Sequence, residues 1–196
     1  RDLLGRMLRW RVGIGWLLGA AFSPAMLFLL SAAIVRLWSG AWPDVVQFGH
    51  ISEFPHLGWL AGWIVWTLTF GLGEETGWRG FALPRLQRNR GARPATLILG
   101  ALWALWHLPQ FFYNYELSLL GVTAFVVSTI SGALVLTWLH NSTGGSVLVA
   151  MLWHGGFNTA VAGAHGAMAP LVSGFVILSA VLIMGSTGPE LCHPAS

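Results

Sequence analysis

Three ionisable side chains stand together in Gly73-Glu74-Glu75-Thr76-Gly77-Trp78-Arg79, directly after the apolar stretch 57–72, in a chain of which only 9% of residues are charged. A charged side chain in a hydrocarbon interior costs about 2.5–3.5 kcal/mol even on lenient insertion scales, so such a group marks a functional site with a partner to be found. Partners stand on two later apolar segments: His107 closes Trp103-Ala104-Leu105-Trp106-His107, and His154 and Asn158 lie one helical turn apart in His154-Gly155-Gly156-Phe157-Asn158. On a helix Glu75 and Arg79 are i,i+4 neighbours suited to an ion pair, whereas Glu74 points about 100° away and is left for other work. A carboxylate beside an imidazole can take a proton from water, and imidazole or amide N–H groups can donate to a developing oxyanion. The residue types therefore spell hydrolysis by an activated water. Glu74 is the general base, His107 shares the water or protonates the leaving amine, His154 and Asn158 face the oxyanion, and Glu75 with Arg79 forms a supporting ion pair.

These groups need elements to hold them, and composition says which. At 55% hydrophobic residues and a mean hydropathy of +0.67, the chain is far more apolar than a soluble domain. The reading is all-α: a polytopic transmembrane helix bundle with about six spans, at 13–37, 57–80, 95–113, 117–139, 146–163 and 168–185. All ten basic residues are arginine; four lie in residues 1–11 and four in Arg85–Arg93. That pattern marks cytoplasmic loops against anionic lipid and not a nucleic-acid surface. Two spans separate the two clusters, which leaves Asp44, Glu53 and Glu116 outside and the His140–Gly145 loop inside, with Trp38, Trp42, Trp59, Tyr113 and Tyr115 at the interfaces. His50, His56, His140, His165 and His193 fall in loops or the tail. Glu74 and His107 are symmetric about the turn Asn89-Arg90-Gly91, so an antiparallel hairpin brings them to one height, and His154 enters from the same side. Ser146 reads as a helix N-cap. Because the chain begins at Arg1, further N-terminal sequence is expected to precede it. The divisions expected are 1–56, an Arg-rich segment with the first span and outer loop; 57–165, the catalytic core; and 166–196, the last span and tail.

Glu-Glu-x-x-x-Arg, aromatic-x-x-x-His and His-x-x-x-Asn, in that order on successive membrane helices, resemble the CPBP family (CAAX proteases and bacteriocin-processing proteins, also called Abi) over residues 57–165. The resemblance implies an intramembrane protease that cleaves membrane-associated protein or peptide substrates, and it assigns Glu74, Glu75 and Arg79 to the first motif, His107 to the second, and His154 with Asn158 to the third. Trp103 stands where Phe is commoner, a departure expected to change shape more than chemistry. Trp78, Trp103, Trp106 and Trp153 are read mainly as core or lipid-facing residues. The family is often described as metalloproteases, while another view needs no metal. No cofactor is certain, and zinc on Glu74, His107 and His154 with one open position stays an alternative. Neither His-Glu-x-x-His nor Gly-x-Ser-x-Gly occurs in the chain. A non-proteolytic scaffold or bacteriocin-immunity protein would use the same polar cluster for packing. The Lys-free, Arg-rich composition points to the bacterial inner (plasma) membrane.

Overall fold

The computed structural model describes residues 2–51, 54–112 and 118–192. Among these residues the chain is helical throughout, with no strand. After a short helix α1 (Asp2–Met7), α2 runs over Ile14–Ser39. Residues 59–90 then form one continuous helix, α3, whose pitch changes four times: α-helical over Trp59–Trp66, π-helical over Thr67–Gly71, α-helical over Leu72–Glu75, π-helical over Thr76–Ala82 and α-helical over Leu83–Arg90. A turn at Gly91, whose φ of 72° is comfortable only for glycine, reverses the chain into α4 (Ala92–Trp106). The remaining helices are α5 (Leu119–Ser142), α6 (Val147–Ala162) and α7 (Met168–Ser186).

All six apolar segments are thus helices of an integral membrane bundle. Four stretches among the described residues are long and apolar enough to cross a bilayer: Ile14–Ser39, Ala92–Phe112, Leu119–Ser142 and Met168–Ser186. The fifth apolar segment is α6, whose 16 residues make it shorter than those four. At ~1.5 Å per residue it reaches only about 24 Å, and it sits in the middle of the bundle, with Val147, Val149, Ala150, Trp153, Gly155, Thr159 and Ala160 buried. The sixth, α3, extends ten residues past its expected end at 80, carrying Arg85, Arg88 and Arg90 with it. Large apolar side chains such as Leu18, Phe22, Leu105 and Trp106 point outward, the inside-out pattern of a protein solvated by lipid.

The basic clusters meet at one end of the bundle, as the arginine count requires. Arg6 donates to the Gly80 carbonyl at 2.9 Å, the Ser146 hydroxyl donates to the Arg9 carbonyl at 2.7 Å, and Arg93 donates to the carbonyls of Met184 and Thr187, both at 2.9 Å. Ser146 caps α6 by accepting from the Val149 N–H, as read from the sequence. His140 corrects its expected loop placement: it belongs to the last turn of α5, is buried, and its Nδ1 lies 3.3 Å from the Asn141 Oδ1. The helix α5 continues past the apolar run at 139, and its polar end is satisfied against other elements, with Asn141 donating to the Glu190 carbonyl and accepting from Gln87. The expectations for Glu53, Glu116, Tyr113, Tyr115 and His193 lie outside the described residues.

Two glycines set the distance between α3 and α6. A Cβ on Gly155 would stand 2.2 Å from the Thr67 Oγ1 and 2.5 Å from the Thr67 Cα, and one on Gly71 would stand 2.6 Å from the Met151 carbonyl oxygen. Backbone therefore meets backbone, as small residues permit in membrane bundles. Gly155→Ala is expected to destabilise the protein by roughly 1–3 kcal/mol through overpacking, read as a lower unfolding midpoint in detergent. Gly174→Ala, which meets nothing within 4 Å, is the control and should hold or raise the midpoint.

Candidate functional site

The close crossing of α3 and α6 brings Glu75 to His154. Arg79 NH1 donates to Glu75 Oε1 at 2.8 Å, and His154 Nδ1 lies 2.8 Å from the same oxygen. Glu75 and Arg79 are fully buried. Arg79 falls within the second π-helical stretch, a wide turn that recurs at functional sites. An ionised carboxylate only accepts, so the His154 Nδ1 carries its hydrogen toward Glu75 and Nε2 is the nitrogen left to the site. This refines the expected role of His154 as an oxyanion donor: Nε2 can donate only when the ring is an imidazolium.

Glu74 turns away from this pair, as the helical spacing requires, and meets α4. Its Oε2 accepts from the indole N–H of Trp103 at 2.6 Å, while Oε1 has no hydrogen-bond partner among the described residues. Glu74 is half-buried and Trp103 is buried. The hairpin register is therefore one helical turn from the simplest expectation, with Trp103 opposite Glu74 and His107 one turn further on. His107 caps α4, where Pro109 follows and cannot donate to a continuing helix. Its Nδ1 donates to the Trp103 carbonyl at 2.7 Å, which leaves Nε2 without a hydrogen-bond partner among the described residues, and its ring packs edge-on against Phe125 of α5 at 5.4 Å. Asn158 lies one turn beyond His154, half-buried and without a hydrogen-bond partner among the described residues.

The residue missed by sequence reasoning is Trp103. Its ring lies 5.7 Å from that of His107 and 5.3 Å from that of His154, both edge-on, and the Arg79 guanidinium sits 4.8 Å above its face. The departure from Phe is thus chemical as well as steric, because it supplies the N–H that Glu74 accepts. The signal was present in the sequence: a tryptophan one turn before His107 on a membrane helix carries a polar N–H that needs an acceptor. Trp106 and Trp153 follow the core-or-lipid reading, the first exposed and the second buried in a stack with Phe157.

Histidines that donate Nδ1–H to a carboxylate and to a carbonyl have the outer-shell pattern of metal ligands. Yet among the described residues no three His, Cys, Asp or Glu side chains are gathered closely enough to hold an ion. In this arrangement one oxygen of Glu74, a member of the zinc set considered as an alternative with His107 and His154, accepts from Trp103.

Residues 56–160, more than half of the chain, match the family model described as Type II CAAX prenyl endopeptidase Rce1-like. That stretch contains Glu74, Glu75, Arg79, His107, His154 and Asn158. The chain is also 32% identical over 88 residues to CAAX prenyl protease 2 of the archaeon Methanococcus maripaludis (strain S2), an alignment covering 41% of this chain and 32% of that protein. It therefore spans only about a third of the length of the curated relative that it matches. With its helical bundle, its ordered motifs and this match, the chain belongs to the Rce1-like type II CAAX prenyl endopeptidase family.

Proposed function

We propose that this protein is an intramembrane endopeptidase that hydrolyses a peptide bond near the C-terminus, or in a membrane-proximal segment, of membrane-associated protein substrates, working in a bacterial inner membrane. The observation that carries this reading is the division of labour between adjacent carboxylates. Glu75 is consumed by Arg79 and His154, while Glu74 is steadied at Oε2 and keeps Oε1 for a water. In this scheme Glu74 removes a proton from water as its oxygen adds to the scissile carbonyl carbon. The Asn158 amide and the His154 ring face the resulting oxyanion, the amide donating to it. Its collapse breaks the C–N bond, and the leaving nitrogen takes the proton held by Glu74, with His107 as relay. Glu75 balances the Arg79 charge and holds the His154 ring through Nδ1. No step is routed through a metal. The name of the archaeal relative supplies the substrate class tested first, a membrane-anchored C-terminus.

The test is cleavage of membrane-proximal reporter peptides, with and without a lipid-modified cysteine, by purified protein in vesicles with and without a strong chelator. Cleavage is expected, and is expected to persist at full rate in chelator. Loss of activity in chelator, restored by zinc, would replace the metal-free scheme. A folded protein that cleaves no reporter would move the site to the scaffold or immunity reading, in which the polar cluster serves packing alone.

A further inference from the structure

We infer that Trp103 is a positioning residue for the reaction, its indole N–H fixing the Glu74 carboxylate so that the free oxygen addresses the water. The inference rests on the hydrolase reading above and adds to it a residue outside the charged and imidazole motif positions. One ring touches four of the five ionisable groups of the site, all but Glu75: it donates to Glu74 at 2.6 Å, lies under the Arg79 guanidinium at 4.8 Å, and meets the rings of His107 and His154 edge-on. The indole is only 6% exposed, so its position is set by the surrounding protein. The Trp103 carbonyl also receives the His107 Nδ1–H, so the same residue orients the carboxylate with its side chain and the imidazole with its backbone. Glu74 is half-buried with three rotatable bonds setting its carboxylate, and Trp103 is its one hydrogen-bond partner among the described residues. Without that N–H the carboxylate samples several orientations, and the fraction aimed at water falls. Phenylalanine fills much of the same space but has no donor.

The experiment compares wild type, Trp103→Phe, Glu74→Gln and the double variant in peptide cleavage, with unfolding in detergent measured for each. Trp103→Phe is expected to lower kcat by roughly 10-fold to 100-fold, the size of a lost hydrogen bond to a charged group, with KM unchanged. In the Glu74→Gln background the same substitution should cost no further activity, because the group it positions is gone. A full kcat in Trp103→Phe, or an equal loss in both backgrounds, overturns the inference while leaving the hydrolase reading intact. Undiminished cleavage by Glu74→Gln overturns that reading instead. A measurement independent of activity uses protein with isotope-labelled tryptophan. The Trp103 indole N–H resonance, assigned by its disappearance in Trp103→Phe, is expected to move upfield in Glu74→Gln, where a charged acceptor becomes neutral. A resonance unmoved by Glu74→Gln overturns the inference.

Discussion

Replacing Arg79 with methionine is expected to destabilise the protein by about 3–5 kcal/mol, the usual consequence of leaving one member of a buried ion pair uncompensated. Glu75 and Arg79 have no exposed side-chain surface, and Glu75 Oε2 and Arg79 Nε and NH2 are buried without a partner among the described residues. Neither charge can reach water when its partner is removed, so the penalty falls on the folded state. Methionine approximates the aliphatic stem of arginine, which keeps the packing loss small and isolates the charge. The second half of the experiment is Glu75→Gln/Arg79→Met. The glutamine Oε1 still accepts the His154 Nδ1–H, but no net charge remains, so most of the lost stability should return. Unfolding of both variants in detergent checks the pair. A double variant as unstable as Arg79→Met would mean that the arginine contributes shape and not charge balance.

Glu74→Gln is expected to do the reverse, sparing the fold and removing the reaction. Glutamine is isosteric, its Oε1 can still accept the Trp103 N–H, and the position is half-buried, so the unfolding midpoint should stay at the wild-type value. The amide takes no proton from water, and loss of a positioned general base typically lowers turnover by about 100-fold to 10,000-fold. Measuring kcat and unfolding on the same preparations separates the adjacent glutamates into one that serves chemistry and one that serves structure. Substitutions at 74 and 75 that affected both quantities alike would remove that distinction.

Much of this arrangement was legible because its information is local. The i,i+4 spacing of Glu75 and Arg79 predicts their ion pair, the 100° offset predicts that Glu74 faces elsewhere, and the N-cap chemistry of Ser146 predicts the start of α6. The hydrophobic runs predict all six helices. The misses come from contacts between elements. Two π-helical stretches, Thr67–Gly71 and Thr76–Ala82, have no composition that separates them from an α-helix, yet they alter where successive side chains of α3 point. The His154–Glu75 bond joins positions 79 residues apart, and its geometry, which decides the imidazole tautomer, exists only after α3 and α6 have packed. A histidine near Asn, Ser and Gly residues reads as a loop residue, which misplaces His140; the polar partners at the end of α5 come from Gln87 and Glu190. Trp103 was undervalued because tryptophan in a membrane segment is ordinarily a packing residue, and only its neighbours reveal what the N–H is for.

The backbone contact between α3 and α6 also decides how a peptide can reach the site. At Gly71 and Gly155 the two helices leave no room even for a methyl group, so an extended strand cannot pass between them at these points. Glu74, by contrast, looks from α3 toward α4, where the helix ends at His107 and the chain thins to the short turn Leu108–Phe112. The end of α4 and the residue just after its cap present Leu105, Trp106 and Leu108 outward to the surrounding lipid. Under the proposed function, an apolar anchor arriving within the plane of the membrane on this side would meet those side chains before it met a charge.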